Sequence, residues 1–94
     1  MEELLEQIAV CIERGKVNAS SPYPPDMKGQ DGAAELVKRA LDMGIAPDDV
    51  LGKGLVIGMG RVGQKFSENK VFVPDLLMAA KAMSSGMALL ESVS

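Results

Sequence analysis

Ninety-four residues make one small domain, below the usual size of an enzyme that carries its own cofactor pocket. Apolar residues reach 47% but aromatics only 3%, so the core is aliphatic and methionine-rich, which disfavours a β-sandwich or barrel. A net charge of −3 argues against nucleic-acid binding, one cysteine cannot close an internal disulfide, and the lack of histidine excludes His-ligated metals, Ser-His-Asp triads and Cys-His pairs.

The opening Met1-Glu2-Glu3-Leu4-Leu5-Glu6 is acidic and shows no basic stretch leading into a long apolar one. No signal peptide is visible, no apolar run approaches a membrane span, and a cytoplasmic protein is expected. The first helix is predicted from Glu2 to Arg14, with Leu4, Leu5, Ile8, Cys11 and Ile12 on one face. Gly15 is its stop. Cys11 sits within that stripe and no cation neighbours it in sequence, so a buried structural thiol is expected.

Residues 15–32 form the one long irregular stretch. Ser21-Pro22-Tyr23-Pro24-Pro25 reads as extended, and Lys28-Gly29 and Asp31-Gly32 as turns. A connection this long in a small domain points to a covering or partner-touching loop. Tyr23, the only tyrosine, is expected to anchor it against the helices.

The second helix is predicted over Ala33–Met43, with Asp31 as N-cap, Gly44 as stop, and a stripe of Ala33, Leu36, Val37, Ala40 and Leu41. The third opens at Pro47, a favourable first-turn residue, followed by Asp48 and Asp49 at the positive end of the dipole. It runs to about Glu68 and stops at Asn69, which tolerates a left-handed conformation. The fourth starts at Pro74-Asp75 and continues to near Val93, with Leu76, Ala79, Ala80, Met83, Gly86, Met87 and Leu90 facing inward. These four segments predict an all-α four-helix bundle.

One stretch has a rival reading. Leu55-Val56-Ile57 precedes Gly58-Met59-Gly60-Arg61-Val62-Gly63, a formal G-x-G-x-x-G, and Val71-Phe72-Val73 ends near Asp75. A dinucleotide-binding half-domain using Gly58, Gly60 and Gly63 can be drawn from these pieces. Against it, the helix after the glycines would have only about two turns, too short for a βαβ crossover. The helical phase of Val50, Leu51, Leu55, Met59, Val62 and Phe66 also runs straight through the supposed strand. In a helix, each glycine costs about 1 kcal/mol relative to alanine. Close approach of another helix, or a flat ligand lying over the bundle, would each account for that cost.

Gly54-Leu55, Gly58-Met59, Val62-Gly63 and Phe66, followed by Phe72-Val73-Pro74-Asp75-Leu76-Leu77, Ala79-Ala80 and Ala82-Met83, resemble the N-terminal helical cap of cobalamin-binding modules. Such modules occur in cobalamin-dependent methionine synthase and in the corrinoid proteins of methanol and methylamine methyltransferase systems. The resemblance covers Glu35 to about Leu90, and implies that residues 1–94 are a four-helix cap shielding the upper, methyl-bearing face of a corrinoid. It implies as partners a Rossmann-like cobalamin-binding domain, whose histidine ligates the cobalt from below, and a corrinoid methyltransferase. That domain is not among these 94 residues, which contain no histidine, so no catalysis is expected from this chain alone.

Carried over position by position, the cofactor-facing residues are Phe66, Val73 and Leu76. Val73 stands where leucine is usual, and the long connection between helices one and two replaces a usually short turn. Related light sensors carry tryptophan where Phe66 stands, so a methyl-transfer corrinoid protein is the implied subfamily. A plain helical protein-interaction module is the alternative from another class. Helix four carries Met78, Met83 and Met87 beside Leu76, Leu77, Leu89 and Leu90, more apolar positions than one inward stripe needs. A homodimer through helix three or four is therefore expected.

Overall fold

The computed structural model describes residues 1–93, and among them there is no strand. Four helices form the bundle: α1 (Glu2–Arg14), α2 (Ala33–Asp42), α3 and α4 (Val73–Glu91). Helix α3 is continuous over 47–67 in three stretches: a first turn Pro47–Asp49, a π-helical segment Val50–Leu55, and an α-helix Val56–Ser67. The all-α four-helix bundle read from periodicity is the fold. No helix among the described residues is long and apolar enough to cross a membrane.

Three of the helices end alike. Gly15 (φ 72°) and Gly44 (φ 85°) follow α1 and α2 in the left-handed region, and Asn69 (φ 60°) follows α3. In each case the left-handed residue and the one after it donate back to carbonyls of the last turn, as in Lys16 N–H to Cys11 O at 2.8 Å and Lys70 N–H to Lys65 O at 2.9 Å. This satisfies carbonyls that a helix end otherwise leaves without partners. The N-terminus of α2 differs from expectation. Gly32, not Asp31, is the N-cap; its N–H donates to Glu35 Oε1 at 2.7 Å, and Asp31 pairs with Arg39 at 2.6 Å. The Ala33 and Ala34 N–H groups, which an Asp31 cap would need, go instead to the Lys16 and Val17 carbonyls, each at 3.0 Å.

The core is aliphatic: Leu5, Ile8 and Ile12 of α1, Val37 of α2, and Val50, Leu55 and Val62 of α3 are buried. Ala79, Ala82, Gly86 and Leu90 supply the inner face of α4. Ala82 holds the place expected for Ala80, which is exposed, and Met83 and Met87 are only half-buried. Both corrections have one cause: a helix with apolar residues on most sides gives its rotation only weakly from sequence.

The glycines divide. A methyl group on Gly58 would lie 2.5 Å from Ile12 Cβ and 2.6 Å from the Ala9 carbonyl oxygen, and one on Gly54 2.9 Å from Ile8 Cγ2. These two let α3 lie directly on α1. Gly52, Gly60 and Gly63 face open space, so close packing does not account for them. The G-x-G-x-x-G run lies within helix α3, and the strand–loop–helix context that a dinucleotide site requires is not present.

Candidate functional site

Exposed large apolar residues stand at several places, Met43, Val56 and Ile57 among them, and four of them, Phe66, Phe72, Val73 and Leu77, lie where α3 ends and α4 begins. Phe66 closes α3 and is 41% exposed; after the turn 68–72, Phe72 is 70% and Val73 55% exposed. Leu76 is half-buried in the first turn of α4, and Leu77 beside it is 64% exposed. The left-handed Asn69 reverses the chain, so the end of α3 and the start of α4 share one end of the bundle. Of the expected residues at this end, Phe66 and Val73 are exposed and Leu76 is half-buried. Phe72 and Leu77 lie at the same end and were not among the expected site residues, although each adjoins one that was.

Polar groups fix this end from its flanks. Asp75 accepts the Phe72 N–H at 2.8 Å through Oδ2 and the Tyr23 hydroxyl at 2.6 Å through Oδ1. These two donors, the backbone N–H first, hold its carboxyl below the usual carboxylate range. The same hydrogen bond, followed by desolvation, pushes the Tyr23 phenol up to about 12. Tyr23 therefore anchors the long connection, as expected, and does so on α4. On the other side of α3, Lys65 pairs with Glu13 at 2.6 Å, and Arg61 holds Glu6 in a two-pronged pair at 2.6 and 2.7 Å.

Two grooves lie elsewhere. One, of about 480 Å³, runs between α3 and α4 and is lined by Met59, Ala80, Met83, Ser84 and Met87, among others. The other, of about 360 Å³, lies among α1, the long connection and α2, with Cys11, Met27 and Leu36 in its lining. Cys11 is 3% exposed, and burial pushes its thiol up to about 11, the state of a structural cysteine. The 15–32 connection also contains a fully buried lysine, Lys16, whose Nζ donates to the Ser21 carbonyl at 2.7 Å. No local pattern marks it, because a lysine in a polar loop reads as solvated.

Fold and site together define a small helical domain with exposed apolar residues at its α3–α4 end and no ligating cluster of His, Cys, Asp or Glu among the described residues. Residues 29–91 match the family described as B12 binding domain, and the chain belongs to that family. It is 48% identical over 59 residues to monomethylamine corrinoid protein 2 of Methanosarcina acetivorans, covering 63% of this chain and 27% of that protein. To trimethylamine corrinoid protein 1 of the same organism it is 41% identical over 59 residues, covering the same shares of each. The structure of the Methanosarcina barkeri monomethylamine corrinoid protein matches with a TM-score of 0.79 at 32% identity, over 96% of this chain and 36% of that one. The chain thus spans about a quarter of the length of the curated relatives it matches.

The cofactor class of the family is cobalamin, and the residues here fit one side of it only. An open surface of Phe, Val and Leu side chains is suited to lie over a broad macrocycle without offering it a ligand. These 94 residues contain no histidine and so would offer the cobalt no imidazole.

Proposed function

We propose that this chain is the cap of a corrinoid protein, covering the upper, methyl-bearing face of a cobalamin held by a Rossmann-like companion domain and serving a methyltransferase partner. The observation that carries this is the apolar end of a bundle of the B12 binding domain family at which Phe66 and Val73 are exposed and Leu76 is half-buried. The cofactor, when bound, supplies a methyl–cobalt bond. Phe66 at the end of α3, with Val73 and Leu76 opening α4, would exclude water and oxidants from that bond. They would do so without competing ligation, since none of the three carries a donor atom in its side chain. Catalysis is not assigned to this chain; its contribution is to shield and then to yield to the partner.

The test uses a fusion in which this chain replaces the matching helical part of the M. barkeri monomethylamine corrinoid protein, loaded with methylcobalamin. Photobleaching of the methylcobalamin spectrum should be several-fold slower than for the free cofactor. Phe66→Ala should restore much of the free rate while helix content stays unchanged. Equal rates for fusion and free cofactor would refute the covering role. The isolated chain should bind free corrinoid weakly at best, because a one-sided apolar contact must first offset the cost of association.

The groove between α3 and α4 supports a homodimer of the chain. Its half-buried Met83 and Met87, with Met59 across from them, form a repackable apolar surface. Sedimentation should show a dimer that Met83→Lys weakens without unfolding. A compact monomer at high concentration would end that part of the reading.

A further inference from the structure

The connection 15–32 is longer than linking α1 to α2 requires, and almost every part of it is tied down. Chain leaving α1 lies against α4, because a methyl group on Gly15 would sit 2.8 Å from Met78 Cβ and 3.0 Å from Tyr23 Cε1. Lys16 and Val17 accept the N–H groups of Ala33 and Ala34, each at 3.0 Å. The buried Lys16 ammonium holds Ser21 O, and Asn18 Oδ1 accepts from Ser20 N–H and both serine hydroxyls within 3.1 Å. Arg14 at the end of α1 reaches Asp26 at 2.6 Å. The segment has little regular structure yet is ordered at both ends and in its middle.

That order converges on one contact. The Tyr23 hydroxyl donates to Asp75 Oδ1 at 2.6 Å across 52 positions of sequence, while the other carboxylate oxygen caps α4 by accepting the Phe72 N–H. Asp75 lies between Val73 and Leu76, two of the proposed covering residues. The start of α4 has few other holds, since Phe72, Val73 and Leu77 are mostly exposed and bury little there. Helix starts of this kind fray unless capped or packed.

We infer that the 15–32 connection is a brace for the covering surface, with Tyr23 as a positioning residue that holds the first turn of α4, and so Val73 and Leu76, through Asp75. The inference rests on the covering role proposed above. Tyr23 need not touch the cofactor; its part is to keep two apolar side chains in place while the face they cover is open to solvent.

Tyr23→Phe tests this, because it removes the hydroxyl, keeps the ring beside Gly15, and leaves the Asp75 cap intact. In the 94-residue chain, amide exchange at Leu76 and Leu77 should rise by roughly tenfold, as for loss of one hydrogen bond to a charged group. Exchange at Ile8 and Val37 should be unchanged. In the methylcobalamin-loaded fusion, Tyr23→Phe should speed photobleaching, a readout that a merely stabilising tyrosine would not move. Wild-type exchange at Leu76 and Leu77 would overturn the brace. So would wild-type photobleaching in Tyr23→Phe when Phe66→Ala bleaches fast. If neither variant bleaches faster than wild type, the covering role itself falls and takes the brace's purpose with it.

Discussion

The α1–α3 contact and the α3–α4 end are built from the same kinds of residue and differ in what covers them. Along α1 and α3, Gly54 and Gly58 bring two backbones so close that Ile8 and Ile12 are sealed. At the other end Phe66, Phe72, Val73 and Leu77 stand in solvent, and the polar contacts that flank them shape the backbone without covering the side chains. Apolar character alone therefore does not separate core from site in this domain. What separates them is whether the fold itself covers the apolar surface or leaves it exposed.

The sharpest way to break that contrast is to truncate one apolar residue in each region. Ile8→Ala should cost about 2–5 kcal/mol, whereas Phe66→Ala, at a site already 41% exposed, should cost on the order of 1 kcal/mol. Urea denaturation of both variants checks this, and equal losses would mean that the α3–α4 end is core after all.

The glycines allow the same contrast at smaller scale. Gly58→Ala must push a methyl group into Ile12 and the Ala9 carbonyl, at a cost of about 1–3 kcal/mol. Gly60→Ala meets nothing within 4 Å and should gain about 0.5–1 kcal/mol from helix propensity. Thermal melts moving in opposite directions would support the assignment of faces.

Two further effects are gentler. With its thiol pushed up to about 11, Cys11 has only roughly a thousandth of its population as thiolate at pH 8, so native protein should react with a disulfide reagent far more slowly than denatured protein. The Asp75 cap should respond to acid. Its folded carboxyl titrates below its unfolded value, so its contribution is complete above the ordinary carboxylate range and is lost as pH falls through the lowered value. Amide exchange at Leu76 and Leu77, corrected for intrinsic rates, should then rise at acid pH sooner than at Val37.

Much of this was legible in the residues. Apolar spacing placed all four helices to within two residues at most ends, and Gly15, Gly44 and Asn69 marked their stops because few residues adopt a left-handed backbone without strain. The false dinucleotide pattern could be set aside because the helical phase passed through it. What stayed hidden depends on three dimensions. The π segment Val50–Leu55 shifts the phase of α3 locally, a packing outcome with no sequence mark of its own. Which glycines are tight and which are open depends on the neighbour, not on the glycine. Tyr23 could be expected to anchor the loop, but its partner Asp75 lies 52 positions away, beyond any local pattern. For the site, Phe66, Val73 and Leu76 came from a family pattern, while Phe72 and Leu77 became visible only through their exposure.

The central claim is about position: the open apolar end lies over the cobalt-bearing face of a corrinoid. Loading the fusion with hydroxocobalamin and reducing it by one electron with dithionite, which releases the hydroxo ligand as water and leaves paramagnetic cob(II)alamin, gives a direct measure, because the unpaired electron broadens nearby proton resonances in a distance-dependent way. The account predicts strong broadening of the methyl signals of Val73 and Leu76 and of the Phe66 ring, with sharp signals from Leu4 and Ala40 in the core. Uniformly sharp signals at Phe66, Val73 and Leu76 in a fully loaded fusion would contradict it.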